Sequence, residues 1–300
     1  MARLGLPSLV LVTTFSLFAG APVAAASPVP RAEHGVLPAP ANAQISFHHT
    51  PTGYQVGTAN QHESRPGLSI VKMYIADFVF RVGSPEDVAA AATMLRNSDD
   101  RIATDLYRKY PASITDTASR YGLTDTKSAP HWGNSTTSTY DSVKFLEAKK
   151  RENPGDLVLI NLAQASPRAA DGYRQDFGTA HLPGVIGTKF GWSDDHRSYH
   201  ATASYGVDFS VAAQINGTAD QLTETAHGAF ETGAAPSPLP LVPFGADGMW
   251  EPIHGLAQGF DDALQQAGSS EVFSATDAAE GARRDVESGL LQLSSMLPPQ

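Results

Sequence analysis

Two strand-like runs near the start of this chain are separated from the next three by a long helical block, and that separation constrains the fold. Gln44 to His49 and Tyr54 to Thr58 flank Pro51-Thr52-Gly53 and read as a hairpin. Val185 to Gly191, Tyr199 to Gly206 and Phe209 to Ile215 read as three later strands. A lone hairpin is marginal in water, so the late strands must pair with the early one, making a single sheet of about five strands. Strands, a block of helices, more strands and a closing helix make an α+β order.

The helical block is well punctuated. Ser69 to Arg81 carries an apolar stripe through Ile70, Met73, Tyr74 and Phe78, broken only by Asp77. Ser84-Pro85-Glu86-Asp87 opens the next helix with a cap, a proline suited to the first helical position, and acids at the positive end of the dipole. Asn97 to Asp100 interrupts that helix, and Ile102 to Tyr110 resumes until Pro111. Ser113 to Tyr121 is stopped by Gly122, and Ser138 to Arg151 by Asn153-Pro154-Gly155. Leu157 to Gln164 is expected helical, although Val158-Leu159-Ile160 would also suit a strand. Gln221 to Phe230 is the closing helix.

The ends read differently. Arg3, an apolar run from Leu4 to Ala19, and Ala24-Ala25-Ala26 have the layout of a secretory signal peptide over 1–26. The alternative is a retained anchor, for which the run is short against the ~20 residues of a span. No later segment is apolar enough to cross a bilayer, so an exported protein without a stable span is expected. Residues 27–43 are rich in Pro and Ala and are expected to be a linker before a domain over 44–232. Pro236 to Pro243 opens a second linker, and two weak helical patterns near Gly255 to Ala267 and Thr276 to Leu293 form an appendage over 233–300. The formal charge of −10 lacks the basic footprint of a general nucleic-acid binder. The absence of cysteine excludes disulfides, thiolate metal sites, a cysteine nucleophile and a lipid-modified cysteine within the sequence.

Three segments carry chemistry. In Ser69-Ile70-Val71-Lys72, helical spacing lets the serine hydroxyl meet the lysine amine, and a neutral amine there can take the serine proton. Alone the pair is also what a capping serine and a solvated lysine would look like, and it arises by chance about once in a chain of this size. Asn97-Ser98-Asp99-Asp100 lies at a helix break, and Gly187-Thr188-Lys189-Phe190-Gly191-Trp192 opens the late strand set.

S-x-x-K on a helix, S-D-D at a helix break and K-x-G on a strand, in that order, resemble the serine β-lactamase and penicillin-binding protein (DD-peptidase-like) family, whose signatures are S-x-x-K, S-D-N and K-T-G. The resemblance covers about Gln44 to Phe230. It implies an antiparallel sheet with helices on both faces, a serine acyl-enzyme, no cofactor and no metal. Its expected ligand is a cell-wall peptide or a β-lactam-like small molecule. By position it makes Ser69 the nucleophile, Lys72 its base, Ser98 a proton relay and Lys189 the attractor of a substrate carboxylate. The backbone N–H groups of Ser69 and Trp192 would form the oxyanion hole, each donor contributing roughly 3 kcal/mol. Asp100, Phe190, Gly191 and Trp192 would complete the substrate-binding set. Oligomeric state is left open.

Four departures bear on activity. Asp100 stands where the family has asparagine, and an ionised carboxylate cannot donate to a substrate amide; near Lys72 it would favour the protonated amine. Phe190 removes a hydroxyl. The short stretch between Lys72 and Ser98 implies a reduced helical lobe and an open cleft. No E-x-x-L-N occurs between Leu123 and Thr137, where Asp125, His131 and Asn134 are the nearest polar substitutes. His131-Trp132-Gly133-Asn134 would either line the cleft or fold as a loop around its tryptophan. An acyl-transfer hydrolase and a catalytically impaired protein that binds wall material or a protein partner both follow. Asp194, Asp195, His196 and His200 read as a solvated turn rather than a metal site. Lys149-Lys150-Arg151 at a helix end suits the dipole and needs no ligand.

Overall fold

The structure, a computed structural model, describes residues 27–231; the expected signal segment over 1–26 and the expected appendage over 233–300 lie outside the described residues. In chain order the elements are β1 (Val29–Pro30), β2 (Ala43–His49), β3 (Tyr54–Gly57) and β4 (Arg65–Pro66). A 3-10 turn (Leu68–Val71) then leads into α1 (Lys72–Val82), α2 (Pro85–Asn97), α3 (Asp100–Lys109) and α4 (Ser113–Tyr121). After β5 (Thr136–Thr137) come α5 (Thr139–Glu152) and α6 (Leu157–Ala163). The chain finishes with β6 (Gly187–Trp192), β7 (His200–Tyr205), β8 (Phe209–Ile215), α7 (Ala219–Ala229) and β9 (Phe230–Glu231).

The fold is α+β, with a five-stranded sheet in the order β3-β2-β8-β7-β6, every pair antiparallel. The late strands close on the early hairpin through β8, in register from Ala43 opposite Ile215 to His49 opposite Phe209. Side chains alternate across a strand, so each strand serves two cores. Phe209, Val211, Ala213 and Ile215 of β8 join Ile45 and Phe47 under α7, with Leu222 and Phe230. Ala212 and, from β7, Ala201, Ala203 and Tyr205 face α1 and α5, where Tyr74 and Phe145 meet edge to face. Burying each such large side chain contributes roughly 1.5–3 kcal/mol.

Local signals set the helix ends. Ser84 accepts from Asp87 N, Asp99 from Arg101 N and Ile102 N, Ser138 from Asp141 N and Asp156 from Val158 N. Gly122 closes α4 at φ 62°. The segment expected as a linker over 27–43 is instead packed onto the domain. Val29–Pro30 pairs with Phe230–Glu231, Leu37 N donates to Gly57 O at 3.0 Å, and Leu37 is buried in the α7 core. Proline tolerates such a short edge strand, where few ladder donors are needed.

The basic end of α5 is another difference from expectation. Lys149 is buried and donates to Asp77 Oδ1 at 2.8 Å, with Asp156 Oδ2 also at 2.8 Å. Burial opposes its charge, but Asp156 and Asp77 outweigh burial and raise its pKa. Asp77, the break in the apolar stripe of α1, is therefore half of a buried ion pair tying α1 to α5.

Candidate active site

The first site residue is set by an unusual turn. β4 pairs with β5, and Gly67 N donates to Ser135 O at 2.8 Å. A Cβ on Gly67 would lie 2.9 Å from that same carbonyl, so the close approach requires glycine. Leu68 then takes a left-handed conformation, φ 47°, which for a non-glycine residue costs about 1–3 kcal/mol. The 3-10 turn that follows presents Ser69 at the mouth of a cleft of about 470 Å³. Ser69 is 7% exposed and its hydroxyl makes no hydrogen bond among the described residues.

Ser98 caps α2 in the left-handed region, φ 50° and ψ 37°, which turns its carbonyl and hydroxyl toward two lysines. Lys72 Nζ donates to Ser98 O at 2.7 Å and to Asp100 Oδ1 at 2.5 Å, with Ser98 Oγ at 3.4 Å. Lys189 Nζ donates to Ser98 Oγ at 2.9 Å and to Phe190 O at 2.8 Å. Both ammonium groups are fully buried. Burial lowers the Lys72 pKa, and Asp100 offsets part of that. Lys189 is pushed well below its ordinary value by burial, with the neighbouring Lys72 adding to the effect.

The third segment forms the far wall. Ser193 N donates to Tyr199 O, so by the two-residue alternation of an antiparallel ladder the Trp192 N–H points away from β7, toward the open edge. That edge faces the nucleophile turn: a Cβ on Gly191 would meet Ser69 N and Leu68 Cβ, each at 3.0 Å. Glycine thus lets strand and turn touch, which brings the strand edge carrying the Trp192 N–H next to Ser69.

The structure brings Ser69, Lys72, Ser98, Lys189, Asp100, Gly191 and Trp192 together. It does not bring the Phe190 side chain there. Lys189 lies opposite Ala203 and Phe190 opposite Thr202, on the two faces of the sheet. The Phe190 ring packs against Phe177 in the α7 core, 5.1 Å between centroids. Its place in the substrate-binding set is thereby corrected: at this position the strand's twofold alternation sends the side chain to the core.

Trp132 serves both alternatives expected of its loop. Its indole donates to Thr104 Oγ1 at 3.0 Å, and its ring covers Lys72 Nζ at 4.8 Å while walling the cleft. Asp125, by contrast, is committed elsewhere, accepting from Ser138 and facing His62. Sequence reasoning missed Asp171, which lies on the loop between α6 and β6 and reaches the cleft. Its Oδ2 accepts from Trp192 Nε1 at 3.0 Å. Nothing local in Ala170-Asp171-Gly172 signals this, because the contact is made across the cleft. Asp194 and His196, expected in a solvated turn, also stand on that wall, whereas His200 is buried between Tyr173 Oη and Gly217 O.

No protein-family profile matches the chain. Over 127 residues it is 32% identical to proteins named "Putative lipoprotein LppW" from Mycobacterium tuberculosis and Mycobacterium bovis, covering 37% of this chain and 40% of each relative. The chain thus spans about two fifths of the length of the curated relatives it matches. Among solved structures it is similar to a β-lactamase from Burkholderia vietnamiensis (15% identity, TM-score 0.45, 62% of this chain and 91% of that one). It is also similar to a β-lactamase from Streptomyces albus G (16%, 0.44, 62% and 91%) and to penicillin-binding protein D2 of Listeria monocytogenes in a cefotaxime-bound form (14%, 0.47, 61% and 93%).

Proposed function

We propose that the protein is an exported serine acyl-transfer hydrolase of the cell envelope, working through an acyl-enzyme at Ser69. The observation that carries this reading is Ser69, whose hydroxyl makes no hydrogen bond among the described residues and opens on the cleft next to a buried lysine–serine–lysine cluster.

In the step proposed, Ser69 Oγ attacks a carbonyl carbon and passes its proton to neutral Lys72. The oxygen of the tetrahedral intermediate sits on the N–H groups of Ser69 and Trp192. The bond to the leaving nitrogen or oxygen then breaks, and that atom takes a proton from Ser98, which is resupplied by the Lys72 ammonium. Water or an amine acceptor releases the acyl group. Peptidoglycan-type peptides, β-lactams and related amides or esters are the candidate acyl donors. The signal-like pattern over 1–26 and the lipoprotein name of the relatives support the envelope.

A second reading has its own observation. Lys72 Nζ is held by Ser98 and Asp100, and Ser69 is not among its partners. A protein so arranged would bind wall material or a protein partner with impaired chemistry. Intact mass after incubation with a fluorophosphonate and a β-lactam panel, wild type beside Ser69→Ala, separates the two. A Ser69-dependent adduct is expected; no adduct in a folded protein favours the binding reading.

A further inference from the structure

The wall opposite Lys72 is built against a substrate carboxylate. Asp100, Asp171 and Asp194 all line the cleft, and Asp99 stands at the adjoining recess with a single arginine, Arg101. The two lysines that could offset them are fully buried and already donate to Ser98, Asp100 and the Phe190 carbonyl. The neutral donors of the wall are engaged by carboxylates as well. Trp192 Nε1 is held by Asp171, and Ser193 Oγ donates to Asp195 at 2.6 Å. The Phe190 ring lies on the other face of β6, so the strand offers no hydroxyl from that position. Away from Ser69 and the backbone N–H groups next to it, an incoming carboxylate would meet acids and side-chain donors that acids already hold.

The same wall suits a cation. Tyr173 backs Trp192 and His196, tilted against each with ring centroids 4.8 Å and 4.4 Å apart, and Asp171 lies beside the Trp192 and His196 rings. Aromatic faces with adjacent carboxylates attract ammonium and guanidinium groups. The acids alone would be a solvated cluster. What makes this a ligand site is the Ser69 hydroxyl, more than nine-tenths buried and unpartnered, at the mouth of the same cleft.

We infer that the ligand of this cleft carries an ammonium or guanidinium group that lies against Trp192 beside Asp171 and Asp194, and that a carboxylate at that position binds more weakly, which among the acyl donors named above favours those with a basic group there. This inference names the ligand class of the site proposed above and rests on that cleft being the binding site, though not on Ser69 being reactive.

The test uses two isosteric probes, 4-(amidinomethyl)benzamide and 4-(carboxymethyl)benzamide, titrated into Ser69→Ala protein with tryptophan fluorescence as readout. The cation is expected to bind at least about fivefold tighter, a preference that salt weakens. Asp171→Asn/Asp194→Asn is expected to abolish the difference; both carboxylates are exposed, so this variant should fold. Equal binding, preference for the carboxylate, a preference unchanged in the double variant, or no binding of the cation overturns the inference. Fluorophosphonate labelling of the wild type runs alongside. Absence of a Ser69 adduct counts against the acyl-enzyme and leaves the charge preference to be decided by the titration.

Discussion

Replacing Asp100 by asparagine removes one charge from the neighbourhood of Lys72 while keeping the shape and an accepting oxygen. The two groups are 2.5 Å apart, but the Asp100 side chain is 65% exposed. Solvent therefore screens the pair, and Coulomb's law at dielectrics well above the interior value gives about 1.5–3 kcal/mol. Burial lowers the Lys72 pKa and Asp100 raises it, so Asp100→Asn lowers it further. The base acts as the neutral amine, so acylation rises with pH through the Lys72 pKa, and the variant's rising limb should shift to lower pH. At neutral pH more amine is free, but a weaker base transfers protons less readily. The net expected gain is a few-fold to about tenfold. Stopped-flow acylation by a p-nitrophenyl ester over about pH 5 to 10 measures this, with intact mass confirming the adduct at Ser69. A limb that stays in place or moves upward, in a variant that melts like the wild type, would refute the argument that Asp100 holds Lys72 protonated.

Four further outcomes follow from particular contacts. Lys189 has a depressed pKa in the folded state, so the cost of burying its charge is fully present below that pKa; stability should rise between it and the unfolded value near 10.5. Lys189→Met should remove that slope, its stability relative to wild type falling from neutral to alkaline pH in urea unfolding; parallel curves would contradict it. Phe190→Thr restores K-T-G in the sequence, yet should cost about 3 kcal/mol in denaturant unfolding and give no faster reaction with carboxylate-bearing probes, because its side chain faces the core. Gly191→Ala should slow acylation at least about tenfold with a stability loss near 1 kcal/mol or less, since its methyl would press on Leu68 and Ser69 N; an unchanged rate would refute the close contact. Asp77→Ala should cost about 3 kcal/mol by stripping Lys149 of one buried partner, measured by urea unfolding, and a near-neutral effect would show that Asp156 suffices.

Most of the architecture was legible in the sequence because its causes are local. Ser84-Pro85 and Gly122 mark helix ends through capping and φ preference, and the alternation in Phe209–Ile215 marks a strand that gathers its large apolar side chains on one of its two faces. The pairing of the late strands with the early hairpin also followed, since a two-stranded sheet alone would not persist. The spacing of Ser69 and Lys72, the helix break at Ser98 and the strand at Lys189 named the candidate cluster for the same reason: each is a short-range pattern.

The remainder depended on which way side chains point and which distant segments meet. Residues 27–43 look like a linker by composition, but Leu37 finds an apolar pocket and Val29–Pro30 finds β9. Lys149 looks like a dipole partner, and only the packing of α5 on α1 reveals Asp77 as its counter-ion. Phe190 sits in the middle of a motif, and the pleat of β6 turns it into the opposite core. Asp171 carries no local signal at all; the loop between α6 and β6 must first fold across the cleft before its carboxylate meets the Trp192 indole. The sequence by itself determined the elements, their order and the chemical groups that could react. The tertiary structure decided the charge those groups face, because electrostatics and burial depend on distances through space that residue numbering does not record.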